Sequence, residues 1–223
     1  MAILELNNVT YIYKNKWQTT RAVNNVSYAF DCGKVYAIVG KSGSGKTTLL
    51  SMLAGLDTPT EGQVLFDGTP TNKINRDAYR RNSVSVIYQS YNLFPLLTIL
   101  ENVTYPLELC GMKPASAREK AKKMIEVVGL TDVVYRRYPA MLSGGEQQRI
   151  AIARALCSSA KVMLADEPTG NLDTENTANI ISILKDLAHR EGYCVIIVTH
   201  DMAVAEKADV IIRMTDGNLI PEA

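Results

Sequence analysis

Two stretches of this chain carry the residue types that hold phosphate. The first, Gly40-Lys41-Ser42-Gly43-Ser44-Gly45-Lys46-Thr47, followed by Thr48, fits the pattern G-x-x-x-x-G-K-[ST]. Glycines let the backbone wrap with its N–H groups pointing inward, and a helix start behind the loop adds partial positive charge. Lys46 is then within reach of the terminal phosphates, and the Thr47 hydroxyl is a ligand for Mg²⁺. An acidic pair follows far downstream, at the end of the apolar run "KVMLADEP". There Asp166 can hold the water shell of Mg²⁺, and Glu167 can polarise an attacking water. Together these residues read as a nucleoside triphosphate site with hydrolytic chemistry. A guanine reader of the form N-K-x-D has its nearest match in "NKIN" at Asn72–Asn75, which lacks the final aspartate, so nothing favours guanine.

The second stretch is Ser143-Gly144-Gly145, directly before "EQQRIAIARAL". Ile150, Ala153 and Leu156 fall on one face of a helix, which makes Ser143 its N-cap and leaves two glycines whose bare amides attract an anion. No second lysine and no metal ligand accompany this loop. It reads as half of a phosphate site.

The elements that must position these residues follow from the hydrophobic pattern. Val35–Val39 reads as a strand feeding the first glycine loop, with a helix from Lys46 onward. Buried apolar runs at Ser85–Tyr88, Val162–Ala165 and Val195–Thr199 add strands of a mainly parallel sheet covered on both faces. The alternating stretches "ILELNNVTYIY" and "AVNNVSYAF", with Asp-Gly turns at Asp67-Gly68 and Asp216-Gly217, predict hairpins and hence an antiparallel β layer. Between about Tyr91 and Leu142 the pattern turns helical. "ASAREKAKKMIEVVGL" places Ala117, Ala121, Met124 and Val128 on one face, with a capping box expected at Ser116 and Glu119. The fold class is therefore α/β, with a helical insertion.

Composition removes several alternatives. A net charge of +1, from 24 basic and 23 acidic residues, gives no field for a polyanion, so no nucleic-acid partner is expected. The four cysteines, Cys32, Cys110, Cys157 and Cys194, form no C-x-x-C pair, and with only His189 and His200 beside them they offer no structural metal set. Reduced thiols are the expectation. The N-terminus lacks a basic start followed by an apolar segment, and the longest apolar runs are far short of a membrane span.

The order Tyr13, "GKSGSGKT", Gln89, "LSGGEQQR", "VMLADEP", "GNLD" and His200 resembles the ATP-binding subunit of an ABC transporter over nearly the whole chain. The resemblance implies a P-loop NTPase (RecA-like) core at residues 1–88 and 153–223, carrying the antiparallel layer, and a helical signature subdomain at 89–152, all in one domain. It implies ATP and Mg²⁺, and a homodimer in which each copy's signature loop caps the ATP held by the other. Residue by residue, it implies that Tyr13 stacks on adenine and that Ser42, Gly43, Ser44, Gly45, Lys46, Thr47 and Thr48 hold the phosphates. Thr47, Gln89 and Asp166, the last through water, would hold Mg²⁺. Glu167, His200 and Gln89 would carry catalysis, while Ser143, Gly144, Gly145 and Asp173 would act across the dimer. Glu146 stands where the commonest form of the motif has glutamine.

Within the family, "GNLD" and the long hairpin "YKNKWQTTRAVNNVS" resemble the branch of lipoprotein-releasing, macrolide- and peptide-exporting and cell-division ATPases. That branch implies an integral-membrane permease partner of the FtsX/MacB-like type, which would hold the chain at the inner face of the cell membrane. The absence of residues after Ala223 argues against the sugar- and methionine-importer ATPases, which carry a regulatory extension. An ATP-gated regulatory module acting on a membrane partner is the competing reading. Repair and chromosome-organising ATPases need a long coiled coil between the two loops, and no heptad run is present. Beside Gln89, the apolar residues Tyr91, Leu93, Phe94 and Leu96 suggest a permease-docking surface at Tyr91 and Phe94, whereas Leu100 and Val103 read as core.

Overall fold

Alternation of buried Leu4 and Leu6 with more exposed neighbours, resumed at Val9 after a bulge at Asn7–Asn8, belongs to the first of two long antiparallel strands, β1 (Ala2–Lys14) and β2 (Thr19–Asp31). They belong to a computed structural model that describes residues 2–15 and 17–221. Lys16 of the hairpin and the terminus Ala223, both used in the reading above, lie outside the described residues. The buried run after Lys34 forms β3 (Lys34–Val39), which leads through the glycine loop into α1 (Lys46–Leu53). A hairpin follows, β4 (Glu61–Phe66) and β5 (Thr69–Pro70), turned at Asp67 and Gly68, both with positive φ.

The chain continues through α2 (Arg76–Asn82) and β6 (Val84–Ile87) into three helices: α3 (Ile99–Leu109), α4 (Pro114–Val127) and α5 (Gly144–Leu156). It then alternates β7 (Val162–Asp166), α6 (Thr174–His189), β8 (Cys194–Thr199) and α7 (Met202–Ala205), and closes with the hairpin β9 (Val210–Thr215) and β10 (Asn218–Pro221). All three expected hairpins form.

Six strands make one sheet in the order β10-β9-β3-β8-β7-β6, parallel except for β10; the other sheet is antiparallel in the order β2-β1-β4-β5. The period of two along β8 shows why both faces of the parallel sheet are covered. Val195 and Ile197 pack with Ile150, Leu184 and the insertion helices, whereas Ile196 and Val198 pack with Leu49, Leu53 and the antiparallel sheet. The order of strands brings the C-terminal ends of β3, β7 and β8 side by side, where parallel sheets hold their ligands.

One expectation is corrected. Ser116 does not cap α4: the helix starts at Pro114 behind Lys113, because proline lacks an N–H and has its φ already set for a first helical position. Glu119 pairs instead with Lys122 on the helix surface, 2.9 Å away. The capping boxes of this region are Thr98–Glu101 on α3 and Ser143–Glu146 on α5. Val103 is fully buried, as expected of core, and Leu100 packs against it from a partly buried position. Buried Asn102 holds the segment before α3 by accepting from Phe94 N at 2.7 Å and donating to the carbonyls of Phe94, Leu97 and Thr98. Among the described residues no helix is long and apolar enough to cross a membrane.

Candidate active site

The glycine loop is shaped by what presses on it. At Gly45 φ is 104°, and a Cβ there would overlap the Ala22 carbonyl of β2, so only glycine fits. The β9–β10 turn braces the loop from the other side: Gly217 N donates to Ser44 O at 3.1 Å, and Gly217 O accepts from Asn24 N of β2 at 2.9 Å. Ser44 is thereby buried behind the loop. Lys46 is only 8% exposed, and its ammonium donates to Gly40 O at 2.8 Å and Lys41 O at 3.0 Å, inside the curve of the loop. A single lysine charge, the loop amides and the α1 N-terminus thus converge on one point.

That point opens into a cleft of about 840 Å³. Ser42, Gly43, Gly45, Lys46, Thr47 and Thr48 form one wall. Asp166, Glu167, His200 and Gln89 face it, and Tyr13 stands at the edge. Tyr13 is half exposed, with its hydroxyl 3.2 Å from Thr48 Oγ1, so one ring face is free for a planar ligand. Sequence reasoning did not pick out Thr20, Arg21, Ala22, Asp216 and Gly217, which complete the lining from β2 and the β9–β10 turn. The sequence marks Asp216-Gly217 only as a turn and the β2 residues by no motif, because all five reach the cleft only through the packing of distant strands.

Asp166 ends β7, and Glu167 follows with φ at 48°, a left-handed conformation that a non-glycine residue adopts at a cost. This turn sends the Glu167 side chain across the ends of the strands toward β8. Its Oε1 lies 2.8 Å from His200 Nδ1, and its Oε2 accepts from the Thr199 hydroxyl at 3.2 Å. Thr199, almost fully buried at the end of β8, also accepts from Asp201 N, so its hydroxyl is fixed. Nothing in the residue order singles Thr199 out, because its contact with Glu167 exists only once β8 lies beside β7. Burial and the neighbouring Glu167 charge push the Asp166 carboxyl above the usual range, while Lys46 and the Thr47 hydroxyl oppose that shift. Two crowded carboxyls, a hydroxyl and the Gln89 amide form an all-oxygen donor set that suits a hard divalent cation.

Ser143, Gly144, Gly145 and Asp173 do not line this cleft. They form a second cluster. Ser143 caps α5, accepting from Glu146 N at 3.3 Å, while Glu146 Oε2 accepts from Ser143 N at 2.8 Å and from its hydroxyl at 2.9 Å. Asp173 caps α6 and holds Asn176 through both backbone and side chain. A Cβ on Gly145 would collide with that Asn176 amide, so the glycine lets the α5 and α6 starts lie together.

The Ser143 hydrogen bonds, backbone first, hold the Glu146 carboxyl below the usual value. A depressed folded-state value means the stabilisation is present above the ordinary glutamate pKa and lost as pH falls through the folded one. Glu146→Ala is therefore expected to cost about 1 kcal/mol at neutral pH, the net worth of a hydrogen bond. In urea melts, the gap from the parent chain should narrow below about pH 4.

Fold and cleft together define a P-loop nucleoside triphosphatase with a helical insertion, and comparison with known proteins narrows the class. Residues 23–170 match the family model described as ABC transporter. The ABC transporter ATP-binding protein YclH of Bacillus subtilis (strain 168) is 43% identical over 218 residues, covering 98% of this chain and 96% of that one. Rv0986 of Mycobacterium tuberculosis (strain ATCC 25618 / H37Rv), likewise an ABC transporter ATP-binding protein, is 38% identical over 222 residues, covering 98% and 89%. The bacterial ABC transporter cassette MJ0796, solved as a dimer, superposes with a TM-score of 0.91 at 38% identity over 98% of this chain and 97% of that one. A second structure of MJ0796, a post-hydrolysis dimer bound to ADP and Pi, gives a TM-score of 0.90. The chain belongs to the ABC transporter family. Within that family it is an ATP-binding subunit with the cassette fold, an ATPase.

Proposed function

We propose that two copies of this chain close head to tail around two ATP molecules, each held by the glycine loop of one copy and capped by Ser143, Gly144, Gly145 and Asp173 of the other. The observation that carries this reading is the separation of the two phosphate-binding devices. The cleft has the lysine, the carboxylates and the histidine, while the signature cluster has a capped helix start and no lysine, its acids Glu146 and Asp173 being engaged in capping α5 and α6. Two incomplete sites on one chain become complete sites between two. The dimeric state of MJ0796 at 38% identity supports the same arrangement.

In this reading Tyr13 stacks on adenine, and Ser42 to Thr48 hold the phosphates. Thr47, Gln89 and, through water, Asp166 would hold Mg²⁺, which supplies charge neutralisation at the phosphates. Glu167 takes the proton of the attacking water as its oxygen bonds to the terminal phosphorus and the bond from that phosphorus to the β–γ bridging oxygen breaks, with ADP as the leaving group. His200 and Thr199 hold the carboxylate in place while that happens.

Hydrolysis then drives a membrane permease from the cytoplasmic face. An apolar groove of about 480 Å³, walled by Leu56, Tyr88, Leu109, Met112 and Arg154, runs between α3, α5 and the end of β6 and suits a short helix of such a partner. Phe94 and Leu96 remain exposed at 43% and 87%, whereas Tyr91 is partly buried with its hydroxyl against Gly144. Docking therefore falls to the groove and Phe94 more than to Tyr91. The "GNLD" loop and long first hairpin support a permease of the lipoprotein-releasing, macrolide- and peptide-exporting and cell-division group, with export, extraction or mechanotransmission as the output.

Leu109→Glu should leave basal ATP turnover within about twofold, because Leu109 is 61% exposed and outside the cleft. It should abolish co-purification with the membrane permease. Retained co-purification would remove the groove from the account.

A further inference from the structure

Arg154, in the last turn of α5, is an unusual cation. It is partly buried, and among the described residues no carboxylate pairs with it. Its guanidinium instead donates to two backbone carbonyls more than sixty positions earlier: Nη1 to Asn92 O at 2.6 Å and Nη2 to Tyr91 O at 2.9 Å. Both acceptor residues have left-handed φ, 59° at Tyr91 and 50° at Asn92. Burial lowers the Arg154 pKa, the signature of a charge kept from water without a counter-ion. The fork geometry of guanidinium is what can grip two carbonyls of one turn at once.

The gripped turn begins two residues after Gln89. Its Tyr91 hydroxyl lies against Gly144, and a Cβ on Gly144 would sit 2.9 Å from it. The Gln89 carbonyl accepts from Asn171 Nδ2 at 3.4 Å, and the Gln89 amide lies beside Gly170. One short turn is thus held by both ends of α5 and by the loop after Glu167. Arg154 also forms part of the groove wall together with Tyr88. A segment seated in the groove touches the same strut.

We infer that Arg154 is a positioning residue for ATP hydrolysis, whose clasp on the Tyr91 and Asn92 carbonyls sets the turn that aims the Gln89 amide into the cleft. The inference rests on the reading that Gln89 acts at the nucleotide. It makes α5 a rigid link between the signature loop at one end and Gln89 at the other.

The test is a double-mutant cycle of Arg154→Ala and Gln89→Ala on full-length protein, with kcat, KM for ATP and the Mg²⁺ concentration for half-maximal rate measured separately, and folding followed by thermal melting. Arg154→Ala is expected to lower kcat roughly tenfold to a hundredfold and to raise the Mg²⁺ requirement as Gln89→Ala does, with KM changed less than about threefold. The double variant should be no worse than Gln89→Ala alone. Arg154→Lys, which keeps the charge but not the fork, should recover part of kcat and carries the cycle if the alanine variant does not fold. Losses that multiply in the double variant, while Gln89→Ala is itself defective, would overturn the role of Arg154 and leave Gln89 in place. A Gln89→Ala variant with unchanged kcat and Mg²⁺ dependence would overturn the reading of Gln89 and the inference together.

Discussion

Glu167→Gln is expected to lower ATP turnover about a thousandfold while ATP still binds. The side chain stays the same size and can still accept from the Thr199 hydroxyl, but it can no longer take a proton from water. General-base catalysis contributes about a hundredfold to ten-thousandfold, so a thousandfold loss corresponds to about 4 kcal/mol of barrier. The environment supports this assignment over a structural one. Glu167 occupies a left-handed backbone position at the end of a buried strand, its two oxygens are held by different partners, and it faces Lys46 across the cleft. A purely structural acid would not need that backbone strain. Turnover by single-cycle ATP hydrolysis, with nucleotide binding measured in parallel, checks both halves of the expectation.

Ser143→Arg should have an effect of similar size on turnover through a different route. Ser143 lies outside the cleft of its own chain, so ATP affinity of the isolated subunit should change by less than about threefold. The arginine removes an N-cap worth about 1 kcal/mol, which is too little to unfold a domain of this size. Its bulk would fill the space in front of the Gly144 and Gly145 amides, where the phosphate of a second copy's ATP is to lie. Turnover should therefore fall to the level of an unassisted subunit, with the melting temperature lowered by only a few degrees. Loss of ATP binding to the monomer would place Ser143 in its own cleft and contradict the arrangement.

Much of this was legible from residue order. The P-loop pattern, the acidic pair after an apolar run and the Ser-Gly-Gly helix start each carry their own physical signature over a few residues, and each lies where that signature implies. The hairpins at Asp67-Gly68 and Asp216-Gly217 were equally local. The start of α4 departs from the expectation because the fixed φ of Pro114 outweighs the capping-box pattern of Ser116 and Glu119. Contacts between distant segments left no trace in the sequence. Thr199 is an ordinary strand residue until β8 lies beside β7. Arg154 is one helix cation among many until it meets the carbonyls of Tyr91 and Asn92. Arg21 and Ala22 join the nucleotide cleft only through the pairing of β1 with β2.

In the proposed arrangement one chain holds two halves of different ATP sites. Sedimentation of the Glu167→Gln protein across an ATP titration tests it most directly, because turnover cannot then dissolve the closed state. The expected result is a monomer without ATP and, at saturation, a particle of twice the mass with one ATP per chain, which the additional Ser143→Arg substitution abolishes. A protein that stays monomeric when saturated with ATP, or a dimer that forms equally well with Ser143→Arg, would contradict it.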